Sequence, residues 1–267
     1  MKIGKNIFIT SFIFLLSILI FGCKKVIDVK LNNTGAQTII TGEINNLEGP
    51  YKVTISKSVN FTADNSSPPV VGALVIISGN EVIDTLSELT PGEYFTKKIK
   101  GKPGQAYSLL VNAEGKIYTA TSTMPKPVGL DSLSFLLGRN DVIYAVANFQ
   151  DPPNVANYYQ FIEYANGEQF GNGRGNLVFD DRLSDGRYIS MALYDDSSDI
   201  KQGSTLTVQM NCIDKNVYTY LNELFQISGN GGGFSSPTPA NPESNISGGA
   251  LGYFSANTVT SKTVKLQ

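Results

Sequence analysis

Cys23 follows Ile20, Phe21 and Gly22 at the end of an apolar run, and its thiol is the clearest candidate for chemistry in the chain. Lys2 and Lys5 open the segment with positive charge, and Ile7 to Phe21 is interrupted only by Thr10, Ser11 and Ser17. A positive start, an apolar middle and a small residue at the cut describe a signal peptide over residues 1–22. Cleavage there leaves Cys23 first in the mature chain and placed for lipidation. Acyl chains of the palmitate type contribute about 0.8 kcal/mol per buried methylene, so several on one residue anchor stably. An uncleaved spanning helix is the alternative; Gly22-Cys23 argues against it by closing the run where a lipoprotein signal needs it.

The second cysteine, Cys212, has no partner left for an internal disulfide. It continues the alternation of Leu206, Val208 and Met210, which reads as a buried small hydrophobe rather than a reactive thiol. Histidine is absent, so Ser-His-Asp and Cys-His catalysis are excluded, as are zinc or haem sites through imidazole. Two acidic clusters, Asp180-Asp181 with Asp185 and Asp195-Asp196 with Asp199, lack the alternating ligand spacing and glycine of a calcium loop. They are expected to be solvated turns. Ser198 to Lys201 has the S-x-x-K form without its companions, since Lys262-Thr263 is followed by Val264. Gly171 to Asn176 and Gly229 to Gly233 lie away from any strand-to-helix turn and read as connectors, not phosphate loops. A hydrolase using paired carboxylates, Asp180 or Asp181 with Glu163 or Glu168, requires a defined separation between them. The residues thus assign no catalytic, cofactor-binding or metal-binding role, and the expectation is a non-enzyme without cofactor.

Aromatics are the remaining signal. Tyr158, Tyr159, Phe161, Tyr164 and Phe170 gather around one predicted strand. Alternation puts Tyr158, Ile162 and Tyr164 on one face and Tyr159 and Phe161 on the other. Apolar groups on both faces suit a central strand of a sandwich. The sharper expectation is a binding surface drawn from Tyr158, Tyr159, Phe161 and Tyr164, because exposed aromatics concentrate binding energy.

The elements that must carry these residues are mainly β. Residues 23–36 form a polar tether. Strands are predicted at Thr38 to Ile44, Tyr51 to Ser56, Ala73 to Ile77, Asp84 to Leu89, Tyr94 to Ile99, Tyr107 to Val111 and Ile117 to Thr123. Ala73 to Ile77 reads as buried on both faces, and Glu114-Gly115 as a hairpin turn. Short strands at this spacing predict an N-terminal β-sandwich of immunoglobulin or transthyretin type over residues 37–126. Pro125 and Pro127 mark a boundary.

A second β-rich domain over residues 127–267 follows. Its strands are predicted at Asp131 to Leu137, Val142 to Phe149, Asn157 to Tyr164, Asn176 to Phe179, Tyr188 to Tyr194, Thr205 to Asn211, Gly252 to Ser255 and Thr258 to Leu266. One short helix is predicted near 214–228, with Asp214 as N-cap and Val217, Tyr218, Leu221, Leu224 and Phe225 at helical spacing.

Formal net charge is −2, and losing Lys2 and Lys5 makes the mature chain more acidic. That removes the electrostatic case for nucleic acid. Several stretches together resemble a known family: Cys23 to Asp28, Gly49 to Ser56, Val71 to Ser78, Pro91 to Tyr94, Gly104 to Leu109, Tyr118 to Pro125 and Asn245 to Ala256. The pattern resembles the domain of unknown function numbered four-two-four-nine, found in lipoproteins of Bacteroidota, across nearly the whole mature chain. The resemblance implies an outer-membrane lipoprotein, often encoded beside a TonB-dependent receptor, and brings no established site residues. Expected partners are the membrane, through the lipid anchor, and such a receptor. Lys24 and Lys25 stand where surface-exported lipoproteins tend to carry acids, so the periplasmic and outward faces both stay open. The expected role is a non-enzymatic accessory or ligand-binding partner of a TonB-dependent transporter. A structural or adhesive cell-surface β-sandwich protein is the alternative.

Overall fold

The computed structural model describes residues 35–59, 67–138, 143–169, 177–193, 203–227 and 241–266. The first half holds β1 (Thr38–Asn45), β2 (Lys52–Lys57), β3 (Leu74–Gly79), β4 (Val82–Thr85), β5 (Ser87–Thr90), β6 (Glu93–Phe95), β7 (Ala106–Ala113) and β8 (Lys116–Thr123). The second half holds β9 (Ser132–Leu137), β10 (Ile143–Gln150), β11 (Tyr158–Ala165), β12 (Glu168–Gln169), β13 (Leu177–Asp180), β14 (Tyr188–Leu193), β15 (Thr205–Ile213), α1 (Lys215–Ile227) and β16 (Leu251–Lys265). The chain is mainly β with a sandwich-like arrangement of several sheets, as its short alternating strands predict.

One large sheet runs β12-β11-β15-β16-β1-β2-β6-β5, with β13 also on β11. Two smaller sheets, β4-β3-β7-β8 and β14-β10-β9, complete the assembly. Among the described residues the apolar side chains gather in two large cores and a smaller cluster of Ile213, Val217, Tyr220 and Leu221 under α1. Ile40, Ile44, Val53, Ile55, Val75, Ile77, Tyr94, Tyr107, Leu109 and Met124 belong to the first. Phe149, Tyr159, Phe161, Leu206, Val208 and Met210 belong to the second. Membership passes from the first to the second between Met124 and Val128, but Ile246, Ala250, Phe254 and Ala256 return to the first, and the large sheet runs on through both halves.

β16 is the strand the cores share. Its first part pairs in parallel with β1, from Ile39↔Leu251 to Asn45↔Asn257. Its second part pairs antiparallel with β15, from Cys212↔Thr258 to Thr205↔Lys265. The two strands expected at 252–255 and 258–266 are therefore one. Gly252 fits where a side chain cannot, because a Cβ there would lie 2.0 Å from the Ile40 carbonyl oxygen.

Three two-residue turns have positive φ at both positions: Asn80-Glu81, Glu114-Gly115 and Asn166-Gly167. That geometry twists with the strands it joins and closes β3–β4, β7–β8 and β11–β12. The strand expected at 94–99 stops at Phe95, because Asp84 turns the backbone of residues 97–99 toward itself. Its Oδ2 accepts the backbone N–H groups of Lys97, Lys98 and Ile99 at 2.8, 2.7 and 2.9 Å. β3 is not buried on both faces: Val75 and Ile77 point into the core while Leu74 is 47% exposed.

Candidate functional site

Cys23 and the signal segment lie outside the described residues, as do Asp195, Asp196, Asp199, the Ser198–Lys201 motif, Phe170 and both glycine-rich connectors. The aromatic candidates all lie on β11, which is flanked by β15 on one side and β12 and β13 on the other. Tyr159 and Phe161 point into the second core at 0% and 1% exposure, against Phe149 at ring-centroid distances of 4.9 and 6.0 Å. They are core residues, which corrects the expectation that they line a surface. Alternation sends Tyr158 and Tyr164 to the opposite face, where both stay half-buried.

Helix α1 covers part of that face. Asp214 caps it, its Oδ1 accepting the Val217 N–H at 3.0 Å while Oδ2 accepts the Ser122 hydroxyl. Val217, Tyr220 and Leu221 are its buried residues, and Leu224 is exposed instead of packed. Tyr158 meets Tyr218 at 5.1 Å between centroids, and the Tyr218 hydroxyl donates to Asp180 Oδ2 at 2.7 Å. Burial, then that hydrogen bond, pushes the Tyr218 hydroxyl up to about 12. Burial, followed by the charge of Glu43, also raises Tyr164.

The acids sort differently from their order in the sequence. Asp180 faces Tyr218 and accepts from Arg182 Nε at 2.9 Å. Burial raises its pKa, but these partners outweigh that and hold it below the usual carboxylate range. Asp181 turns the other way and meets Asp185 and Asp151, with carboxylate oxygens of all three within 4.8 Å of one another. Asp151 is wholly buried and Asp181 is 3% exposed, so Asp181 is not the solvated turn residue its composition suggested.

Two loops are bound together by this group. Asp151 accepts the Tyr159 hydroxyl on Oδ1 and the Gly186 N–H on Oδ2 at 2.9 Å. Asp181 Oδ2 accepts the Asn157 N–H at 2.9 Å, and Asp185 Oδ1 accepts the Asn154 N–H at 2.8 Å. The loop after β10 is thereby tied to the loop after β13 by carboxylates, where each N–H would otherwise lack a strand partner. Burial, opposed by the Asn157 N–H and reinforced by the charges of Asp151 and Asp185, raises Asp181. Chemically, the three offer oxygen donors of the kind hard cations take, or a shared proton.

The carboxylate pairs considered from the sequence do not form. Asp180 faces Tyr158 across β13–β11, and Glu163 lies five residues further along β11. At about 3.4 Å per residue that is roughly 17 Å. Glu168 is further still, opposite Ala165. Asp151 is the acid that sequence reading missed, and its signal was the Asp151-Pro152-Pro153 step that ends a strand.

Cys212 is buried beside Val208 and Met210, as its alternating context predicted. Burial pushes its thiol up, with the Val128 backbone and Thr258 pulling weakly the other way. Among the described residues no helix is long and apolar enough to cross a membrane.

Fold and site together define a mainly β protein with two large cores against one sheet, in which Asp84, Asp151, Asp181, Asp185 and Asp214 each accept backbone N–H groups. The chain matches the family described as Domain of unknown function (DUF4249) over residues 24–263, and it belongs to that family. No curated protein matches it.

Proposed function

We propose that this chain is an exported lipoprotein, anchored in the outer membrane of a Bacteroidota cell through acyl chains on Cys23. There it serves as a non-enzymatic accessory or ligand-binding partner of a TonB-dependent transporter. One observation carries the reading: the family match begins at residue 24, directly after the cysteine that closes the signal-like segment. The binding role is supported by the commitments of the polar side chains. Asp84, Asp151, Asp181, Asp185 and Asp214 each hold backbone N–H groups, and the Tyr159 and Tyr218 hydroxyls are held protonated. These groups build and stiffen a scaffold.

Metabolic labelling with palmitate, comparing the unaltered chain with Cys23→Ser, tests the anchor; equal labelling would refute it. Detergent solubilisation of outer membranes and affinity recovery of the tagged chain tests the partner. A TonB-dependent transporter should co-purify with the lipidated protein, and its consistent absence overturns the proposed partnership.

A further inference from the structure

We propose that the parallel pair β1–β16 is a shear joint, which carries tension from the amino-terminal anchor into the second half of the protein. The inference rests on the lipid-anchor reading and deepens it by naming the element on which a pull against the anchor falls.

β1 is the first strand among the described residues, so tension from an anchor at Cys23 enters the fold there. It lies inside the large sheet, between β2 and β16. Its seven residue pairs with β16 run parallel, from Ile39↔Leu251 to Asn45↔Asn257. β16 then continues past Asn257 and pairs with β15 through eight further positions, where Leu206, Val208 and Met210 belong to the second core. The amino end of β1 and the carboxyl end of β16 therefore lie at opposite ends of the joint. Pulling them apart drives the two strands past each other along their length. The evenly spaced bonds across the pair are then strained together, whereas strands parted from one end lose their bonds one after another.

Both ends of β1 are fastened by side chains as well as by the ladder, where a first strand would otherwise fray. At the entry, the Gln37 N–H donates to Ser58 Oγ at 2.9 Å, and the Gln37 carbonyl accepts the Ser58 N–H at 2.8 Å. Thr38 is buried, and its Oγ1 accepts the Tyr118 hydroxyl at 3.0 Å and Lys57 Nζ at 3.2 Å. At the exit, Asn46 Oδ1 accepts the Val259 N–H at 2.6 Å, which extends the hold on β16 beyond its last pair with β1.

The register resists slippage too. Ile40 and Ile44 are wholly buried in the first core, together with Phe254 and Ala256 from β16. Drawing β1 back by two residues would set Ile40 opposite Ala250 in place of Gly252. The Ile40 carbonyl has no room for a Cβ in that slot. A pull along β1 must therefore break the ladder and unseat core side chains in one step.

Single-molecule force spectroscopy on the full-length chain tests the joint, with azidophenylalanine handles placed in pairs at exposed positions. Handles at Ala36 and Lys265 pull β1 and β16 in shear. Handles at Ala36 and Val59 part β1 from β2 at the Thr38↔Lys57 end, one pair at a time. Handles at Ala36 and Glu168 draw on the second half through β11 and β15. Forced unfolding is governed by the unfolding rate, so at one loading rate the first and third pairs should match and exceed the second at least about threefold in rupture force. Equal forces for the first and second pairs overturn the joint. So does a low force for the third alone, which would put the weak point beyond β16. Equal forces alongside palmitate labelling that depends on Cys23 sink the joint and leave the anchored lipoprotein standing. Directional resistance without that labelling keeps the joint and removes the anchor it would serve.

Discussion

The hydroxyl of Tyr159, at the centre of the second core, donates to Asp151, an acid with no exposure to solvent. Each residue makes the other's burial tolerable: the phenol gains an acceptor, and the carboxylate gains a donor beyond the Gly186 N–H. Tyr159→Phe keeps the packing on Phe149 and leaves Asp151 short of a partner. The expected cost is about 2 kcal/mol, the range for a hydrogen bond to a charged group. Urea unfolding at neutral pH measures it, and a change under about 0.5 kcal/mol would contradict the pairing.

Asp84 should matter more. Burial raises its pKa, but the N–H groups of Lys98, Ile99 and Lys97 together outweigh that and hold it low. Asp84→Ala strands three donors, and the expected loss is about 3 kcal/mol. The sign in pH comes from the lowered value. The contribution is fully present above the unfolded carboxylate pKa of 3.8 and is lost as pH falls through the folded one. Acid unfolding curves of parent and variant should therefore converge below that window.

Asp181 runs the opposite way. Its pKa is raised, by burial first and then by Asp151 and Asp185, so the folded state holds the proton more tightly than the unfolded chain. Its contribution to stability is present below 3.8 and is lost as pH rises through the raised folded value. Asp181→Asn keeps an acceptor for the Asn157 N–H and removes the repulsion. That variant should gain stability relative to the parent as pH climbs from about 4 to about 7, measured by urea midpoints across the range. A constant difference would show that the three acids do not share a field.

Cys212 gives a chemical readout of the same core. Its thiol is buried and its pKa raised, so alkylation requires opening of the second core. Iodoacetamide should label it in step with unfolding and leave the native protein unmodified over hours. Rapid labelling of folded protein would mean that the β15–β16 ladder opens locally.

Sequence reading fared best where the signal is local. Asp214 sits next to the helix it caps, and Glu114-Gly115 lies inside the hairpin it turns, so a few adjacent residues decide each. Asp84 defeats such reading because the N–H groups it serves lie 13 to 15 residues away. The acids of the second core fail for the same reason. Asp180 and Asp181 are neighbours in sequence and face opposite ways, while Asp151 joins Asp181 only because β10 and β13 end near one another. Tyr158 and Tyr159 differ likewise: the pattern separates their faces, but only the small sheet lying over one of them makes Tyr159 core. β16 looked like two strands because Ala256-Asn257 interrupts the alternation, yet the interruption marks a change of partner and not of strand.

That change of partner has a consequence in time. β1 is made first, and while β2 follows it directly, its parallel neighbour lies more than two hundred residues later, at Leu251 to Asn257. A chain threading out amino end first holds both halves of its architecture unfinished until that final segment emerges. Both cores therefore wait on the same final strand for their last partner.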